Sequence, residues 1–109
     1  METKSALAAL AALAHDSRLA VFRLLVQAGP AGLAAHRIAD SLAIPPSSLS
    51  FHLKELSHAN MVSATQNGRS IIYAAQFSTM NQLLAYLTEN CCGGNACAPV
   101  QSVKCGDAA

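Results

Sequence analysis

Cysteine is missing from residues 1–90 of this chain, and charge is scarce throughout it. Charged residues make up 12% of the 109, and the formal net charge is +1. That excludes the overall basic excess of a histone-like binder, so any hold on nucleic acid has to come from local placement of a few cations. A long apolar run is lacking too. SALAALAALA, residues 5–14, is about half of what a bilayer needs, so no membrane span is expected. It is also a poor secretory signal, because Glu2 sits in the would-be basic region and the run is mostly alanine. No internal repeat is visible. The four cysteines all fall within residues 91–105. They stand too close together to staple distant parts of a small fold, which excludes a disulfide framework and points to reduced thiols in a cytoplasmic protein. Their spacing, C-C-x4-C-x7-C in a glycine-rich tail, offers no C-x-x-C at a helix start, and no cofactor motif accompanies it. This argues against a thiol-dependent reductase and for a protein that is neither an enzyme nor a carrier of an organic cofactor.

What is present is apolar material, 52% of the chain, enough for one compact domain. A domain this small often leaves an apolar face that finds a partner subunit. Residues 5–14 are strong helix formers, with Leu7, Leu10 and Leu13 as an apolar stripe facing either a core or a second subunit. HDSRLAVFRLLVQAG, residues 15–29, opens on Asp16 as a good N-cap and closes at Gly29-Pro30, with Leu19, Phe22, Leu25 and Val26 on one face. Residues 30–34 form a link. A short helix over residues 34–44 turns Ile38, Ala39 and Leu42 inward, and Pro45-Pro46 breaks it. Residues 46–60 form a further helix with proline in its first turn and Leu49, Leu53 and Leu56 inward. Over residues 61–76 the period changes, and Asn67-Gly68 predicts a two-residue hairpin turn. Residues 77–90 return to helix, with Met80, Leu83, Leu84 and Leu87 at helical spacing. The expected organisation is a folded unit over residues 1–90 and a cysteine-rich tail over 91–109.

That order of elements, mainly α with a β-hairpin, is the order of a winged helix-turn-helix. The helix over residues 46–59 would enter a major groove, the short helix before it would brace the backbone, and the hairpin would be the wing. The residues suit the task. Ser47, Ser48 and Ser50 carry hydroxyls for phosphates or base edges, Phe51 suits a thymine methyl, and His52 and Lys54 suit phosphate or bases. Arg69 places a cation at the hairpin tip, within reach of a minor groove or a phosphate. Any one of these alone has a plainer reading, as a capping serine or a solvated turn residue. In combination they point to double-stranded DNA.

LAHDSRLAVFRLL, IADSLAIPPSSLSFHLKEL and NGRSIIYAA resemble the ArsR/SmtB family of metalloid- and metal-responsive repressors over about residues 5–92. The S-x-H-L-K-x-L pattern (Ser50, His52, Leu53, Lys54, Leu56) and the G-R-x-x-x-Y wing (Gly68, Arg69, Tyr73) carry the resemblance. One position departs from it: Pro45 stands where family members usually have a polar cap. The resemblance implies a homodimer paired through its first and last helices, with Leu7, Leu10, Leu83, Leu84 and Leu87 as interface candidates. It also implies a repressor that binds operator DNA when free of metal and leaves it when the ion binds.

Two sensing positions known in the family are empty here. The short helix has no cysteine, and the last helix, FSTMNQLLAYLTEN, has no histidine. A subgroup carries a cysteine pair just after the last helix and a third cysteine a few residues on, and Cys91, Cys92 and Cys97 resemble that triad, with Cys105 as a possible further ligand. The implied effector is As(III), with Sb(III) beside it. Soft thiolates suit thiophilic ions, and trivalent arsenic takes three sulfurs where zinc wants four ligands. Adjacent side chains diverge within a regular helix or strand, so Cys91 and Cys92 can share an ion only where the helix ends. Three other uses of the tail stay open: a four-thiolate zinc, cadmium or lead site with Cys105, a thiol redox switch, and cysteines with no role.

Overall fold

The structure, a computed structural model, describes residues 1–94. Its elements run α1 (Thr3–Leu13), α2 (Asp16–Ala28), β1 (Leu33–Ala34), α3 (Ala35–Leu42), α4 (Pro46–His58), β2 (Val62–Asn67), β3 (Ser70–Ala75) and α5 (Phe77–Thr88), followed by a short 3-10 turn over Cys91–Gly94. This is the expected mainly helical winged helix-turn-helix, with the hairpin between the fourth and fifth helices.

The core forms where α2, α3 and α4 meet the base of the sheet. Val21 and Leu25 of α2, Ile38 of α3, Leu49, Leu53 and Leu56 of α4, and Met61 are its largest fully buried side chains. Leu19, expected on the buried face of α2, is exposed instead, because that face centres on Val21, Phe22 and Leu25. The cap of α2 also moves by one residue. Asp16 is already helical, and His15 is the N-cap, its Nδ1 accepting a hydrogen bond from the Ser17 N–H at 3.1 Å.

In α1 the inward residues are Ala6, Ala9 and Ala12, while Leu7 (61% exposed) and Leu10 (40%) lie outside. Leucine stripes seek burial, but a helix packed on α2, α4 and α5 gains close backbone approach from its small face. Arg18 pins the end of α1, its Nε donating to the Ala12 carbonyl at 2.7 Å.

The sheet has the order β1-β3-β2, all neighbours antiparallel. In the hairpin Asn67 pairs with Ser70, so the two-residue turn is Gly68-Arg69, one position later than Asn67-Gly68. Gly68 has φ +65 and Arg69 is not among the positive-φ residues, a glycine-first pattern typical of type II′ turns. Strand β1 stands where a plain link was expected. Two residues carry no periodicity of their own, and they become a strand by pairing with Tyr73 and Ile72 of β3. Gly32, just before it, has φ +68, and a Cβ there would lie 2.2 Å from the Tyr73 carbonyl oxygen.

Gly32→Ala should therefore cost about 2–4 kcal/mol, combining left-handed strain with overpacking against β3. Gly68→Ala, with open space around it, should cost only the conformational part, about 1–2 kcal/mol. Urea unfolding of the two variants side by side measures the difference.

Candidate nucleic-acid interface and cysteine cluster

The turn between α3 and α4 sets the direction of α4. Ala43 adopts the left-handed conformation (φ 53, ψ 42), and the Ile44 N–H donates back to the Ala39 carbonyl at 3.1 Å. Pro45 and Pro46 cannot extend α3. Instead the Pro45 carbonyl accepts the Leu49 N–H at 2.9 Å and begins α4. No side chain caps this helix start, so the backbone turn alone defines it.

With Leu49, Leu53 and Leu56 buried, Ser47, Ser48, Ser50, Phe51 and Lys54 are all exposed. Ser47, Ser50, Phe51 and Lys54 are three, four and seven residues apart, which places them along one strip of the helix. The strip combines two hydroxyls, one aromatic ring and one cation, with the Ser48 hydroxyl beside it, a set that can donate to phosphates and base edges and touch a thymine methyl. Phe51 also lines an open groove of about 400 Å³ with Ala8, Ala11, Arg18 and Glu55, so its ring borders α1 as well as solvent.

His52 does not belong to this strip. It is only 8% exposed, and its Nδ1 is buried with no hydrogen-bond partner among the described residues. Its ring stacks at a tilt on His15, centroids 4.7 Å apart, and meets Phe51 edge-on at 5.8 Å. Burial first, then the electrostatic influence of His15 and Arg18, push the imidazole below the ordinary histidine range. An imidazole so placed cannot offer itself to a groove, because α4 turns position 52 toward α2 together with Leu49 and Leu53.

Arg69 is exposed at the wing tip, where the Gln66 side-chain amide braces the turn by donating to the Gly68 carbonyl at 3.3 Å. A further exposed cation, Arg37, lies on α3, the bracing helix. The order of residues gave it no prominence. Its placement on a short helix whose apolar side faces inward was the available signal.

Among the interface candidates, Leu7 and Leu10 of α1 and Leu84 (52%) and Leu87 (55%) of α5 are exposed. A hydrogen bond between the Thr3 and Tyr86 hydroxyls ties these two helices together. Leu83 is different. It is 5% exposed and belongs to the core of the same chain, so it has little surface left for a partner.

Beyond α5 the helical geometry breaks down. Asn90 (φ 55), Cys92 (φ 57) and Gly93 (φ 67) all adopt left-handed backbone. Cys91 carries an exposed free thiol, and Cys92 is disulfide-bonded. Cys97 and Cys105 lie outside the described residues. Among the described residues no group of three or more His, Cys, Asp or Glu forms a metal-holding cluster, and no helix is long and apolar enough to cross a membrane.

No curated protein matches the chain. A family model described as a helix-turn-helix domain matches residues 13–63, from the end of α1 to the start of the hairpin. The chain is 30% identical to NolR from Sinorhizobium fredii, over 79% of this chain and 83% of that one, with a TM-score of 0.62. It is 25% identical to an ArsR-like transcriptional regulator from Rhodococcus sp. RHA1, over 77% and 76% of the two chains, with a TM-score of 0.69. A homodimeric winged helix-turn-helix DNA-binding domain from Mycobacterium bovis, Mb0332, shares the fold at 18% identity, over 88% and 89%, with a TM-score of 0.65. The helix-turn-helix match, these likenesses and the α3–α4–wing geometry agree: the chain belongs to the ArsR-like winged helix-turn-helix transcriptional regulators, which are DNA-binding proteins and not enzymes.

Proposed function

We propose that this regulator is a homodimeric repressor that binds double-stranded operator DNA in its apo form and leaves it when As(III), or Sb(III), binds the thiolates of Cys91, Cys92 and Cys97. The observation that carries the reading is the position of the cysteine pair. It follows directly on α5, in backbone that has left helical geometry at Asn90, Cys92 and Gly93. Adjacent thiolates that would diverge within a helix are freed there to converge on one ion. The ion must displace the thiol protons, so binding weakens in acid. Ligands of this kind call for a reducing compartment, the cytoplasm.

On the DNA side, Ser47, Ser48, Ser50, Phe51 and Lys54 read the major groove, Arg69 reaches from the wing, and Arg37 adds a phosphate contact. The exposed leucines at positions 7, 10, 84 and 87 form the face that a second copy covers, as Mb0332 is itself homodimeric. The two reading helices of such a dimer address successive major grooves, about 34 Å apart. Because the cysteine pair borders α5, ion binding acts beside the dimer face and biases the spacing. Couplings of this type are about 1–3 kcal/mol, or roughly 5–150-fold in affinity. A second reading, a thiol-redox repressor, draws support from the disulfide at Cys92.

Four outcomes are expected with a duplex selected by the protein from a random pool. Cys91→Ser keeps its affinity for the duplex but is no longer released by arsenite; release that persists in a mobility-shift titration removes Cys91 from the site. Cys105→Ser responds like the parent if three thiolates suffice and loses its response if the site takes four. Ser48→Ala and Arg69→Ala weaken DNA binding without altering arsenite affinity, Arg69→Ala by about 1 kcal/mol with a salt slope lower by about 1. Release by a mild oxidant with no metalloid present, reversed by dithiothreitol, would favour the redox reading.

A further inference from the structure

Every other polar side chain on α4 is exposed or half-buried, but His52 is buried to 8% exposure and its Nδ1 has no hydrogen-bond partner among the described residues. A buried imidazole without a hydrogen bond is tolerable when neutral, with the proton on the other nitrogen and a bare lone pair on Nδ1. Once protonated, it carries a donor with nothing to receive it and a charge with no water around it. Its surroundings make the charge harder to hold. The His15 ring lies against it at 4.7 Å, and the groups acting on it electrically are His15 and Arg18, both basic and both in or next to α2. Of the other elements packed on α4, α3 presents His36, Arg37 and Asp40, all exposed, and β2 has no titratable residue. The acid and base of α1, Glu2 and Lys4, lie at its far, exposed end. On α4 itself Lys54 and His58 point to solvent and Glu55 is half-buried. His15 is also the N-cap of α2, so the ring that His52 leans on is itself part of the α1–α2 joint.

We propose that His52 is the positioning residue of α4, and that it holds the helix against the α1–α2 joint only while its imidazole is neutral, making the regulator's grip on DNA fall in acid independently of the tail cysteines. The sign follows from linkage. A histidine held below its ordinary value of 6.5 takes up a proton more readily when α4 is loosened. The neutral latch is therefore complete above that value, and its contribution is lost as pH falls through the lower, folded-state value. For DNA binding, the proposal rests on α4 being the reading helix.

The test uses the full chain in its reduced, metal-free form. Without DNA, NMR follows the His52 ring and the hydrogen-exchange protection of α4 amides from about pH 8 to about pH 5. The expected result is a His52 titration below the ordinary histidine value of 6.5, with α4 protection, corrected for intrinsic exchange, falling several-fold along the same curve. His15→Asn, which keeps a capping acceptor but removes the ring, should move that titration toward the ordinary value. His52→Leu should abolish the pH-dependent part of α4 protection; should this variant not fold, the wild-type titration and His15→Asn decide the matter. An ordinary His52 titration, or α4 protection that ignores it, overturns the proposal. The selected duplex then supplies a separate readout. Affinity should fall several-fold over the same curve in both the parent and Cys91→Ser. If α4 loosens with His52 but affinity does not follow, the latch stands and the reading of α4 as the DNA helix fails.

Discussion

The burial of one seam on α4, Leu49, Leu53 and Leu56, is the constraint on which the rest of the structure depends. Each is at most 2% exposed, and truncating a leucine in such a place costs about 2–5 kcal/mol. The helix therefore cannot roll. With its apolar side committed to α2, α3 and Met61, its serines, Phe51 and Lys54 must face outward. The polar strip is thus a consequence of packing on the opposite side, and it needs no hydrogen bonds of its own. The seam also determines the fate of His52, which shares the buried side with Leu49 and Leu53 and is carried inward despite its polarity.

A second consequence of packing is the inversion of α1. A helix of alanines and leucines has two apolar faces, and the crowded interior selects the smaller one. Ala6, Ala9 and Ala12 let α1 approach α2, α4 and α5, which leaves Leu7 and Leu10 outside. The helix that carries them adjoins α5, whose Leu84 and Leu87 are exposed as well. Scattered exposed leucines are ordinary on a protein surface, but several gathered on two hydrogen-bonded helices form a face of the kind that partner subunits cover.

Most helices could be read from the chain because their signals are local: glycine and proline at the ends, leucines at helical spacing between. The misses share a cause. Strand β1 exists only because β3 lies beside it. The turn shifted from Asn67-Gly68 to Gly68-Arg69 because strand register is a property of two strands, and one glycine fits either frame. Leu19 and Leu83 fit their helical stripes equally well in or out, since a stripe defines a face but not its edges. The exposed strip on α4 was legible because serines and lysine are seldom buried. His52 was not, because imidazole is at home in either setting. His15 was overlooked as a cap because Asp16, a stronger capper, stands next to it.

By itself, then, the sequence determined the order of elements, the seam of α4, the glycine at the wing tip, and a cysteine pair placed just past the last helix. These follow from period, punctuation and residue chemistry along a continuous stretch of chain. Only the tertiary structure decided which face of α1 is inside, that Leu83 belongs to the core while Leu84 and Leu87 do not, that the backbone at Cys92 is left-handed, and that His52 lies against His15. Each of those depends on what another segment puts in the way, and the shape of a shared interior is not written in either segment alone.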